Sequence, residues 1–259
     1  MIGVIVLSNY YKNIGEIAFL GVILLVLTRV ISEISFQLAQ PMYQILQHLD
    51  PDGSFLYIAI HHILQGLFAV FVILVIAQVF RIPITLFGFN LNDWQYSIRT
   101  VLRFSFFWLF LQGSVGVLLM IFSTASAAFH FPLTVKNFIG YFAFQILLSG
   151  TSEEILFRAL VMTPLILYGK HTGMTEKTIA WIAGSIATII FMLAHINIAF
   201  YPLRVTHFNI LQQITVLIFG AFYAFLFIRT KSLLGSILAH NLLNAVIVTI
   251  GLILFLIFG

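Results

Sequence analysis

The chain has 259 residues, of which 61% are hydrophobic and 8% charged, with a formal net charge of +4. Eight acids and twelve bases cannot cover a water-soluble globule of this size, in which about 25% of residues carry charge. An ordinary soluble enzyme, a disordered chain and a nucleic-acid-binding protein are thereby excluded, leaving a multi-pass membrane protein. A mean hydropathy of +1.11 agrees. Cysteine is absent, which removes disulfides, thiolate metal sites and a cysteine nucleophile.

A span needs about 20 mainly apolar residues to cross a hydrocarbon core of about 30 Å. The opening stretch MIGVIVLSNYY has no basic residue ahead of its apolar run, so it reads as an interfacial piece and not as a cleaved signal peptide. Seven apolar segments follow: 14–37, 55–80, 101–123, 137–168, 178–200, 210–229 and 233–258. In the first, Arg29 and Glu33 are four apart on one face, a spacing at which they can pair. The second opens with His61-His62, expected at the headgroup level near the outer interface. The connector ITLFGFNLNDWQYSIRTVLRF sets Trp94 and Tyr96 beside Arg99 and Arg103. It reads either as a segment lying along the inner interface or as a plain loop. Gly113 and Gly116 in the third segment read as close-packing points. The fourth segment is too long for one straight crossing. The fold class expected is an all-α, polytopic transmembrane helix bundle of about seven spans, or eight if a further short element crosses. With no repeat, linker or low-complexity tract, residues 1–259 form a single membrane-embedded domain.

The bases orient this bundle. With the N-terminus in the cytoplasm, Lys12, Arg81, Arg99, Arg103, Lys170, Lys177, Arg229 and Lys231 fall at cytoplasmic ends. Lys136 and Arg204 fall outside, where Asp50 and Asp52 also lie. That bias satisfies the positive-inside rule and predicts a cell-membrane protein with a cytoplasmic N-terminus.

Polar groups inside a span are costly, about 2.5–3.5 kcal/mol for a central Asp or Arg on insertion scales. Three segments carry them together. The fourth contains Gly150-Thr151-Ser152-Glu153-Glu154-Ile155-Leu156-Phe157-Arg158, the fifth Phe191-Met192-Leu193-Ala194-His195, and the seventh His240-Asn241-Leu242-Leu243-Asn244. Adjacent helix positions differ by about 100°, so Glu153 and Glu154 point apart. Glu154 and Arg158 are four apart with the acid N-terminal, the favoured order for an ion pair. Arg158 then neutralises Glu154 and leaves Glu153 to face a cavity as a general base, although spacing alone does not decide which Glu is the base. His240 and Asn244 share a face and both can donate to a developing oxyanion. Phe191 and His195 share another, placing an aromatic ring against an imidazole that can help Glu153 activate water. A count by depth puts His195 nearer the outer face than His240, so a kink or shifted span must bring them level. Thr151 and Ser152 read as side chains that bond back to helix carbonyls. A proton-relay transporter would also place acids and histidines in spans, but no pair of matching broken helices is visible.

These residues resemble the CPBP family, the CAAX proteases and bacteriocin-processing enzymes. Its pattern of EExxxR, FxxxH and HxxxN on successive helices stands here as Glu153-Glu154-xxx-Arg158, Phe191-xxx-His195 and His240-xxx-Asn244. The resemblance covers about residues 137–245. It implies an intramembrane endopeptidase that hydrolyses a peptide or lipid-anchored protein substrate at the membrane lipid. It also implies that Glu153 and His195 activate water, that His240 and Asn244 hold the oxyanion, and that Glu154, Arg158 and Phe191 support the site. A non-catalytic relative acting in bacteriocin self-immunity or peptide binding is the alternative. Glu153, His195 and His240 also make up the two-His-one-Glu set of a catalytic zinc. No cofactor is the favoured reading, because those ligands come singly from three helices and Asn244 suits oxyanion binding better than coordination.

Overall fold

The computed structural model describes residues 2–122, 129–200 and 203–259. Its helices run in the order α1 (Ile2–Leu46), α2 (Leu56–Val79), α3 (Trp94–Phe122), α4 (Val135–Phe144), α5 (Gly150–Glu154), α6 (Thr163–Lys170), α7 (Glu176–Ala194), α8 (Ile210–Thr230) and α9 (Leu233–Phe258). A two-stranded antiparallel hairpin, β1 (Asn197–Phe200) and β2 (Leu203–His207), joins α7 to α8. Among the described residues, six helices are long and apolar enough to cross a membrane. The chain is a multi-pass helical membrane protein.

Each of the seven predicted segments coincides with helix, with three boundary corrections. The described part of the opening stretch and residues 38–46, which lie between the first two predicted segments, both belong to α1. That helix carries through Pro41 by giving up one backbone bond, and its 45 residues extend roughly 68 Å at about 1.5 Å per residue. The connector beyond α2 is only partly separate. Ile84–Phe87 form a short 3-10 turn, and α3 begins at Trp94, so Tyr96, Arg99 and Arg103 occupy its first turns. The fifth segment stops early: α7 ends at Ala194, and Asn197 already lies in β1.

The fourth segment is one helical run from Val135 to Lys170, interrupted by wider π turns at Gln145–Ser149 and Ile155–Met162. Pro164 accounts for the second interruption. It has no N–H to donate, and its ring would clash with the carbonyl four residues back in an unbroken α-helix. The Thr163 N–H instead bonds to Arg158 O, five residues back. This run is the centre of the bundle. Leu156 to Met162 are all buried, with α2 and α7 packed against them. By contrast α3 has only 11% of its apolar window buried, against 44% for α8. Its Phe106, Phe107 and Phe110 point outward, as expected of a lipid-facing helix.

Contacts among the connections sort them into two ends. At one end Asn13 donates to Thr172 O, Tyr168 OH to Glu16, and Asn90 to Lys231 O, while Arg229 pairs with Asp93. At the other, Asp52 accepts from Asn137. Lys231 lies close enough to Lys170 and Glu176 to interact with them, so the connections that carry Lys170, Arg229 and Lys231, three of the eight bases assigned to one side by sequence, meet one another. The turn into α9 is tightly specified. Gly88 adopts φ +90 and accepts from Leu233 N–H, and a Cβ there would lie 2.6 Å from the Phe227 ring.

Candidate active site

The π turn at Gln145–Ser149 delivers α5 against α9 at very close range. A Cβ on Gly150 would lie 2.5 Å from Asn241 Oδ1 and 2.6 Å from His240 Cβ, so only glycine permits this approach. The Gly150 N–H donates to Asn241 Oδ1 at 2.9 Å. A wider turn changes which backbone groups find partners along a helix, and here a side chain from α9 takes one of them.

This contact sets the two glutamates against a single imidazole. Glu154 and Arg158 are both fully buried and form the predicted ion pair, Nε to Oε2 at 3.0 Å. The other oxygen of Glu154 accepts from His240 Nδ1 at 2.9 Å. His240 Nε2 lies 3.8 Å from Glu153 Oε2. The adjacent carboxylates thus address different nitrogens of one ring, and His240 is the group between them. Arg158 also donates to Gly220 O at 3.3 Å and lies 5.4 Å from the Phe191 ring centre. Tyr223, wholly buried, stacks on His240 with centroids 4.8 Å apart and rings inclined by 16°.

Phe191 links the remaining pair. Its ring stands edge-on to His195 at 4.7 Å and to His240 at 5.8 Å. His195 sits at the C-terminal end of α7, and its Nδ1 contacts Phe191 O at 2.9 Å. A carbonyl only accepts, so Nδ1 carries the ring proton and Nε2 is left as the basic nitrogen. The early end of α7 resolves the depth mismatch, since His195, His240 and Asn244 all line one cavity of about 390 Å³, together with Gln112, Asn209 and Gln212. Asn244 donates to Ser149 Oγ at 3.1 Å.

Several expectations are corrected. Arg29 does not pair with Glu33. It donates to the carbonyls of Leu193 and Ile196 around the end of α7, where carbonyls lack helical partners and a cation is favoured; Glu33 accepts from Gln37 instead. His61 and His62, expected at the headgroup level, do not face the outside of the bundle. Both are buried, His61 stacked on Phe36 at 3.5 Å and His62 with its Nδ1 2.7 Å from Ser152 Oγ. Thr151 bonds back to Leu147 O as expected, whereas Ser152 Oγ lies 3.4 Å from Ser149 O and nearer, at 2.7 Å, to His62 Nδ1. Gly116 is a close-packing point, 2.7 Å from Leu254 by its virtual Cβ, whereas Gly113 meets nothing within 4 Å. Direct His195–Glu153 pairing is absent among the described residues, and Glu153 adjoins the cavity through His240 rather than lining it. Nor do any three His, Asp or Glu side chains among the described residues converge as ligands for a metal ion. Glu153, His195 and His240, the zinc set named from sequence, do not form such a group.

Sequence spacing did not single out His62, Asn241, Tyr223 or Gln112. The cost of burying polar groups in an apolar span was the signal available for His62 and Asn241. Tyr223 and Gln112 carried none.

The sequence model of the type II CAAX prenyl endopeptidase Rce1-like family matches residues 137–246. That match identifies the segment with the CPBP family and supports a CAAX-type intramembrane protease. No curated protein and no solved structure matches the chain.

Proposed function

We propose that this chain hydrolyses a peptide bond in a membrane-associated peptide or lipid-anchored protein, with Glu153 as general base and without a metal. The observation that carries this reading is the state of Glu153. Its Oε2 is buried without a hydrogen-bond partner among the described residues, beside a cavity lined by His195, His240 and Asn244. A carboxylate with one unsatisfied oxygen next to basic and donor groups is suited to take a proton from water. The water O–H breaks, its proton passes to Glu153, and its oxygen bonds to the scissile carbonyl carbon. His195 Nε2 orients that water. His240 Nε2 and the Asn244 amide donate to the oxyanion. The proton held by Glu153 then moves to the leaving amine as the C–N bond breaks. In this reading His240 holds both ring protons, so Glu153, Glu154, Arg158 and His240 sum to zero charge, which suits a low-dielectric interior. The grouping of bases at one end supports a cell-membrane protein with that end, and the N-terminus, in the cytoplasm.

The test compares protein and peptide termini in membranes of cells expressing wild type or Glu153→Gln at matched levels. New termini are expected only with wild type. Identical profiles across several hosts, with both proteins folded, would overturn the reading and favour peptide binding or immunity without turnover.

A further inference from the structure

The Rce1-like match begins at residue 137, so it assigns nothing to α2. Yet α2 contributes a second imidazole to Glu153. His62 Nε2 lies 3.8 Å from Glu153 Oε1, and His240 Nε2 lies 3.8 Å from Oε2. The two rings thus address the two oxygens of one carboxylate from opposite helices. His62 is 6% exposed and is enclosed by the His61 and Phe144 rings, at 5.1 and 5.0 Å. An imidazole buried this deeply in an apolar helix needs partners for both nitrogens.

The partners define its tautomer. Ser152 Oγ has one proton and two acceptors within reach, His62 Nδ1 at 2.7 Å and Ser149 O at 3.4 Å. The shorter contact is the stronger, and the lone pairs of Ser152 Oγ are served by Gln65 Nε2 at 3.4 Å. An ionised Glu153 facing Nε2 selects the tautomer with the ring proton there, directed at Oε1, and the hydroxyl then donates to Nδ1. That arrangement suits an ionised Glu153, and with the His240 Nε2 proton directed to the oxyanion in the reading above, Oε2 is left to take the proton from water. Distances in a substrate-free site are often longer than in the working complex.

We propose that His62, set by Ser152 and Gln65, is a positioning residue for Glu153, holding its Oε1 by a donated hydrogen bond so that Oε2 acts as the base. This rests on the protease reading above. No proton is transferred through His62; it acts on the reaction only through Glu153.

The probe is a fluorogenic peptide spanning a terminus produced by wild type and not by Glu153→Gln. His62→Leu should lower kcat roughly ten- to hundredfold, as misplacement of a reacting group does, with KM within about twofold. His62→Gln keeps an amide N–H near the position of Nε2 and should recover most of that loss. Ser152→Ala leaves the ring in place and removes the hydroxyl that donates to Nδ1, so a smaller fall in kcat is expected. Peptide affinity, measured in Glu153→Gln with and without His62→Leu, should not differ. Equal losses in His62→Leu and His62→Gln would overturn the donor role, as would a kcat unchanged by both His62→Leu and Ser152→Ala. If His62→Leu does not unfold cooperatively in detergent, Ser152→Ala decides alone. Cleavage of the peptide by Glu153→Gln at the wild-type rate would instead bring down the protease reading.

Discussion

Removing the Arg158 charge while keeping its bulk, as in Arg158→Met, tests what holds the two glutamate-bearing turns in place. Arg158 and Glu154 have no solvent exposure and are 3.0 Å apart. Breaking such a pair by losing one partner costs about 3–5 kcal/mol, because the surviving charge stays buried. The bond to Gly220 O adds about 1 kcal/mol. His240 still donates to Glu154 Oε1, which places the expected total near the lower end, about 4 kcal/mol. For a chain of this size each kcal/mol shifts a melting midpoint by about 2–4 °C, so a fall of roughly 8–16 °C is expected. In Glu154→Gln/Arg158→Met neither charge remains, and such replacements are often near neutral. The double variant should recover most of the loss, leaving a deficit of about 1–2 kcal/mol. Thermal unfolding of purified protein in detergent measures all three. A single variant within about 3 °C of wild type, or a double variant no more stable than the single, would refute the claim that compensated charge holds this site.

Two further outcomes follow from the geometry. Gly150→Ala should destabilise by about 1–3 kcal/mol, as overpacking does, and depress turnover, since the new methyl would sit within 2.6 Å of both His240 and Asn241. Gly113→Ala, with open space around it, should be neutral or stabilise by up to about 1 kcal/mol, and parallel melting curves separate the two. At the start of α2 burial raises the Asp50 pKa, but donors from Leu56, Phe55 and Ser54 outweigh it, leaving the carboxyl below its usual value. A depressed carboxylate stabilises the fold fully above its unfolded value near pH 4 and loses that contribution as pH falls through the lower folded value. The melting midpoint should therefore drop on acidification below about pH 4, and Asp50→Asn should shrink that drop; an equal drop in the variant would contradict the assignment.

The order of the membrane helices was legible because each depends on local composition alone; their number was not, since the fourth of the seven segments is divided by π turns and six described helices are long and apolar enough to cross. Twenty apolar residues in a row cross a bilayer whatever they pack against, and the bias of Lys and Arg needs no contacts to be counted. The Glu154–Arg158 pair was also legible, being four residues apart on one helix. The π turns were not, because they come from the conflict between Pro164, the close approach at Gly150 and the helix between them. Their effect is to bring His240 between Glu153 and Glu154. Arg29 and His62 show the same limit. Each sits in a span where sequence offers only a cost for burial, and only the packing of α1 on α7 and of α2 on α5 shows what offsets it. Sequence therefore determined that a polar cluster lies within the membrane and which helices carry most of it. Tertiary structure decided which atoms face one another, since a bond between helices depends on where each helix ends, widens and crosses its neighbours.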